Sequence, residues 1–144
     1  MGIATVTLII LHTAMSGNGT SQDSSSKRIL FVDDDEELLS TFSDLLSAKG
    51  YDVSTATDGE KGLEKLKNDS FDIVLCDLMM PNMTGDQLYL EVEKVQPEQC
   101  KKFVFITGYD REPKFADFLA KTQQTVLRKP VTSSQLTQAI EGIG

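Results

Sequence analysis

The sequence predicts an α/β domain with five strands in a parallel sheet and helices on both faces. Three observations carry that expectation. From Lys27 onward, short apolar runs alternate with amphipathic segments. Three of the runs are nearly continuous and rich in β-branched and aromatic residues, as strands buried on both faces are. The intervening segments carry helix-start signals of the kind that open the helices of βα units.

The first run, residues 29–32 (ILFV), ends in Asp33, Asp34 and Asp35. Leu38, Leu39, Phe42, Leu45 and Leu46 then recur at helical spacing, and Gly50 stops that helix after Lys49. A second strand covers residues 51–56, and Thr57 with Glu60 makes a capping box for the next helix. The third run, residues 71–76, leads into Asp77 within FDIVLCDLMMP, and Thr84 with Gln87 forms a second capping box. The fourth run, residues 103–107, ends in Thr107, and Pro113, a favoured first-turn residue, opens the helix after it. The fifth, residues 125–127, is followed by Lys129 and Pro130, and Thr132 with Gln135 caps the last helix. Five βα units of this kind form a parallel sheet with short, right-handed crossovers.

The 144 residues give room for one domain with a proper core and some extra chain. The division reads as 1–26 ahead of a domain at 27–144. Residues 1–15 are mostly apolar, and 16–26 form a Gly/Ser-rich tract with the composition of a flexible linker. No Lys or Arg precedes the apolar stretch, so a basic signal-peptide start is missing, and the stretch is shorter than a bilayer span. Val6 occupies the position where a myristoylation motif needs Ser or Thr. The segment reads as a remnant of something upstream, with a short docking strand or helix as the alternative. A formal net charge of −8 argues against nucleic-acid or anionic-membrane partners. His12 is the only histidine, and Cys76 and Cys100 have no metal-ligand spacing, which sets aside histidine-based acid–base and zinc chemistry.

In parallel sheets the chemistry gathers at the carboxyl ends of the strands. Asp33, Asp34 and Asp35, then Asp77, Thr107 and Lys129 all fall there and converge on one rim. Carboxylates crowded at about 4 Å repel by roughly 4 kcal/mol per pair at an effective dielectric near 20, so they are either fully exposed or hold a cation. Carboxylates, a hydroxyl and an ammonium, with no glycine-rich phosphate loop, suggest a magnesium site that handles one phosphoryl group.

With the acidic pair, DLMMP followed by Gly85, Thr107 and Lys129-Pro130 in this order, the chain from residue 28 to about 143 resembles a response-regulator receiver domain of two-component signalling. The resemblance implies a flavodoxin-like or CheY-like sheet of strand order 2-1-3-4-5 and a cytoplasmic location. It makes Asp77 the phosphoryl acceptor and places Mg²⁺ on Asp33, Asp34, Asp77 and the backbone carbonyl of Met79. It assigns Thr107 and Lys129 to phosphoryl oxygens and puts a cis bond before Pro130. The donor it implies is a phosphohistidine on a sensor histidine kinase or phosphotransfer domain, docking near Leu38, Leu39 and Phe42. Such a domain takes up and loses a phosphoryl group itself and is not a turnover enzyme.

Other residues keep plain readings: Asp35, Glu36 and Glu37 as an acidic helix start, Cys76 as a small core residue, Met80 and Met83 as filler. Two positions depart from the pattern of many receivers or qualify it. Val126 stands where an aromatic residue usually swings inward with the threonine. Tyr109, with Met79, would flank the path of a hydrolytic water. With no output module after the last helix, output reads as protein contact, by a single-domain regulator or the receiver of a hybrid kinase. Two rival readings stay open. Asp33-Asp34-Asp35 partly matches the start of haloacid-dehalogenase-like phosphatases, with Glu37 where Thr or Val is wanted. A non-phosphorylated interaction module of the same fold is the other. A calcium loop over residues 33–44 fails because Leu38 holds the glycine position.

Overall fold

The computed structural model describes residues 26–143, so the readings of the N-terminal apolar segment lie outside the described residues. The strands are β1 (Arg28–Val32), β2 (Asp52–Ala56), β3 (Ile73–Asp77), β4 (Phe103–Thr107) and β5 (Thr125–Arg128). They form one sheet in the order β2-β1-β3-β4-β5, every neighbouring pair parallel. The helices are α1 (Glu36–Ala48), α2 (Gly59–Asn68), α3 (Gly85–Val95), the single turn α4 (Pro97–Cys100), α5 (Pro113–Thr122) and α6 (Ser133–Gly142).

Side chains of a strand alternate between faces, and the core follows that period. Ile29, Phe31, Ile73, Leu75, Val104 and Ile106 pack with Leu39 and Leu46 of α1 and Leu136 and Ile140 of α6. The residues between them, Leu30, Val32, Val74, Cys76, Phe103 and Phe105, pack with α2, α3 and α5 through Leu66, Leu88 and Phe115. Helices therefore cover both faces, and β1, β3 and β4 are buried almost throughout. Each large apolar side chain so buried contributes about 1.5–3 kcal/mol.

The helix starts hold in two of three capping boxes: Gln87 accepts from the Thr84 N–H, and Thr132 and Gln135 exchange bonds reciprocally. The third start differs. Asp58, not Thr57, caps α2, its carboxylate accepting from the Lys61 N–H at 2.8 Å, while the Thr57 hydroxyl takes the Lys61 ammonium. β3 begins at Ile73 and not at residue 71, because the Phe71 N–H is drawn away to the Gln99 side chain. Leu39, assigned to a donor-docking face, belongs to the core at 4 % exposure, with Leu38 and Phe42 half-buried beside it.

Leu75 sits on the central strand with no exposed surface, whereas Leu90 on α3 is 47 % exposed. Leu75→Ala is expected to lower unfolding stability by about 2–5 kcal/mol in urea titrations. Leu90→Ala is expected to change it by less than about 1 kcal/mol.

Candidate functional site

The register of the sheet builds the site. β1 and β3 pair with Val32 opposite Cys76, so the next step along both strands sets Asp33 beside Asp77. The alternation that sends Phe31 and Leu75 to one face continues through both aspartates. Strands lie about 4.8 Å apart, which leaves the two carboxylates no room to avoid one another. Thr107 has the parity of Phe103 and Phe105 and so approaches the rim from the opposite face.

Asp33 is fully buried and Asp77 nearly so. Asp33 Oδ1 accepts from the Asp35 N–H at 2.9 Å, and Asp77 Oδ1 accepts from the Met79 N–H at 3.3 Å. Lys129 serves the other oxygens, its Nζ 3.1 Å from Asp33 Oδ2 and 3.3 Å from Asp77 Oδ2. Only the contact to Asp77 has hydrogen-bonding geometry. Asp33 Oδ2 is thus a buried anionic oxygen with a charge partner but no hydrogen bond. Asp34 is exposed and brings a third carboxylate, the three groups placing oxygens within 4.8 Å of one another.

Burial and the neighbouring charge of Asp33 push the Asp77 carboxyl up to about 6, against the downward pull of Lys129 and the Met79 N–H. Burial likewise raises Asp33, opposed by the Asp35 N–H and Lys129. For Lys129, burial lowers the value, but Asp77 and Asp33 outweigh it and hold the ammonium charged. Three carboxylates, one ammonium and an orphaned anionic oxygen fit a hard divalent cation with oxygen ligands. Cys76 is inert by contrast: burial drives its thiol well above the usual range, and it donates to the Asp77 carbonyl.

Lys129, Thr107 and Tyr109 complete the rim. The Lys129 N–H donates to the Thr107 carbonyl at 3.1 Å, carrying the β4–β5 ladder to the lysine, and the Lys129-Pro130 bond is cis. The Thr107 hydroxyl accepts from the Tyr109 N–H at 2.9 Å. Tyr109 and Met79, at 50 % and 40 % exposure, are among the few large apolar side chains left open to solvent. Val126 is half-buried against the core layer that holds Phe105, Phe115 and Phe118. Sequence reasoning missed the ion pair of Arg128 with Asp110 beside Lys129, at 3.1 Å, because no short-range pattern joins residues eighteen apart.

The family model of the response regulator receiver domain matches residues 29–141. The chain belongs to this family. Among relatives of the receiver, the transcriptional regulatory protein GlrR of Escherichia coli K12 is 40% identical over 116 residues. Those residues are 78% of this chain but 25% of GlrR, so the chain spans a quarter of that relative's length. The response regulator receiver protein CpdR of Brucella abortus is 31% identical over 115 residues, covering 80% of this chain and 94% of CpdR. A CheY-like receiver domain protein from Methanospirillum hungatei JF-1 superposes with a TM-score of 0.75 at 32% identity, over 82% of this chain and 93% of that one. The chain is therefore a receiver domain of two-component response regulators, and the haloacid-dehalogenase-like alternative falls away. No helix among the described residues is long and apolar enough to cross a membrane.

The raised pKa of Asp77 has a consequence for stability. Its carboxyl holds a proton more tightly folded, at about 6, than at the ordinary value of 3.8. Its contribution is fully present below the ordinary value and is lost as pH rises through the folded one. In metal-free buffer, wild type is expected to lose about 2–3 kcal/mol relative to Asp77→Asn between pH 4 and pH 7.5, read from urea midpoints. A constant difference across that range overturns the assignment.

Proposed function

We propose that Asp77 takes a phosphoryl group from a phosphohistidine on a sensor kinase or phosphotransfer domain, and that the receiver unit, residues 27–144, signals through protein contacts. The observation that carries this reading is the Asp77 carboxylate at the end of β3, held by the same ammonium that faces buried Asp33. An Asp77 oxygen forms its bond to phosphorus as the bond from phosphorus to the donor imidazole breaks, the electron pair staying on the imidazole nitrogen. Asp33, Asp34, Asp77 and the Met79 carbonyl would hold Mg²⁺. When bound, that ion supplies positive charge against the phosphoryl oxygens as two anions meet.

Lys129 supplies a second positive charge, already fixed between two carboxylates, so little rearrangement is needed as charge moves onto the phosphoryl group. The Thr107 hydroxyl would donate to one phosphoryl oxygen while still accepting from the Tyr109 N–H, which an O–H group can do at once. The exposed side chains of Met79 and Tyr109 would narrow the approach of water to the acyl phosphate.

Intact mass after incubation with Mg²⁺ and acetyl phosphate tests the acceptor. Wild type is expected to gain one phosphoryl group and Asp77→Asn none. No gain in either favours an interaction module that is never phosphorylated. A gain that survives in Asp77→Asn moves the nucleophile elsewhere on the rim.

Trimming the side chain beside the water path is expected to shorten the life of the phosphoryl group. Tyr109→Ala should lose it several-fold faster than wild type, about a kcal/mol off the barrier. An unchanged decay rate of the isolated phosphoprotein would remove Tyr109 from this role.

A further inference from the structure

We propose that Gly59, at the first position of α2, is a positioning residue for the acceptor loop between β3 and α3. The proposal rests on the reading of Asp77 and the Met79 carbonyl given above. Gly59 has no left-handed backbone angle that would call for glycine, since among the glycines described only Gly50 does. What excludes a side chain there is the approach of another segment. A Cβ on Gly59 would lie 2.8 Å from both the Cβ and the carbonyl oxygen of Met83, and 2.9 Å from its Cγ. Two of those three atoms belong to the Met83 side chain at its root and the third to its backbone, so no rotamer change relieves all of them.

Met83 lies in the short segment that carries the rim downstream of Asp77. That segment is tightly tied. The Met83 N–H donates to the Pro81 carbonyl and the Gly85 N–H to the Leu78 carbonyl, both at 2.8 Å. Asn82 takes a left-handed φ of 70°, and a Cβ on Gly85 would collide with the Asp77 carbonyl oxygen. With so few free dihedrals between Met79 and Met83, a push on Met83 is passed back along the chain to Met79 and not absorbed locally. α2 is itself fixed at this end by the Asp58 cap. The bare face of Gly59 therefore sets how close α2 and the acceptor loop come, and through Met83 where Met79 stands beside Asp77.

Gly62, one turn further along α2, is the control. The three atoms nearest to a Cβ there would be side-chain atoms of the core, Val32 at 3.1 and 3.3 Å and Leu88 at 3.4 Å, and none of the three belongs to the loop. The experiment compares wild type, Gly59→Ala and Gly62→Ala by two readouts. One is the Mg²⁺ dissociation constant, read from the concentration above which the thermal midpoint starts to climb with the logarithm of Mg²⁺. The other is the Mg²⁺-dependent labelling rate with acetyl phosphate, split into its maximal rate and its dependence on donor concentration.

Gly59→Ala is expected to raise the Mg²⁺ dissociation constant by about tenfold, the scale on which groups behind metal ligands act, and to lower the maximal labelling rate. Gly62→Ala is expected to lower the thermal midpoint while leaving the Mg²⁺ dependence at the wild-type value. Equal shifts in both variants, or wild-type behaviour of Gly59→Ala, overturn the proposal. If Gly59→Ala does not fold, Met83→Gly removes two of the three contacting atoms, the Cβ and Cγ, from the loop side without forcing atoms together. A wild-type Mg²⁺ dependence in that variant overturns the proposal as well. Failure of wild type itself to respond to Mg²⁺ or to be labelled would instead remove the acceptor reading on which this one stands.

Discussion

Two buried carboxylates held side by side by the β1–β3 register are the constraint on which the rest of this molecule depends. Asp33 and Asp77 stand on neighbouring strands at the same step of the ladder, one residue past the pair Val32 and Cys76. At a strand spacing of about 4.8 Å, their repulsion is roughly 3–4 kcal/mol at an effective dielectric of 20. Among the described residues, Lys129 alone comes within ion-pair distance of either carboxylate, and it is divided between both. A single shared ammonium leaves the rim net negative once Asp34 is counted. Such a site is stable only because the buried sheet behind it holds the two strands in register, and it is well matched to an incoming cation or to the loss of one carboxylate's charge.

The sheet does this through its two-residue period. The sequence of alternating faces in β1 and β3 delivers aspartates from the α1/α6 layer, while β4 delivers Thr107 from the layer of α2, α3 and α5. Asp77 is therefore met from two sides by groups whose backbones belong to different core layers. Lys129 comes from just beyond β5, and its N–H bond to the Thr107 carbonyl ties the lysine to the threonine's own strand. Moving any one of these groups means slipping a strand, which would turn its apolar residues to the wrong face. Rigidity at the rim is in this sense inherited from the core, with the hydrogen bonds of the site added to it.

Much of this was legible because it depends on short-range pattern. Near-continuous apolar runs mark strands buried on both faces, and a polar residue that ends such a run is at the rim by construction, which is how Asp77 and Thr107 stand out. Where two signals competed, the pattern misled. Thr57 and Asp58 are both good cap residues, and only the backbone geometry decides that the carboxylate of Asp58 reaches the Lys61 N–H. The four-residue α4 is too short to show a helical period, and its place is set by distant partners, Gln99 on the Phe71 N–H and Gln96 on the Leu66 carbonyl. Leu39 could not be told from Leu38 by spacing, because a core-facing stripe is wider than one residue. The close approach of Gly59 to Met83 is likewise invisible in the sequence, although a glycine just inside a helix start, where it disfavours the helix, is a hint of crowding.

The absence of a ring at position 126 is answered elsewhere in the same layer. Val126 pairs in register with Phe105, on the face where Phe105, Phe118, Tyr89 and Phe103 interlock edge to face. Tyr89 meets Phe118 at 5.2 Å between centroids and 83°, and Phe118 meets Phe105 at 5.5 Å and 77°. Edge-to-face pairs of this kind favour a single packing arrangement, so α3, β4 and α5 are joined as one body by rings from three elements. Val126 offers no ring to turn toward Thr107. The connections from Thr107 toward α5 run instead through main chain: the Tyr109 N–H on the threonine hydroxyl, then the Glu112 N–H on the Tyr109 carbonyl at the start of the helix. Whatever displaces the Thr107 hydroxyl acts first on that backbone. The same helix is held to α3 and β4 through the Phe118 ring, which meets Tyr89 and Phe105 edge to face.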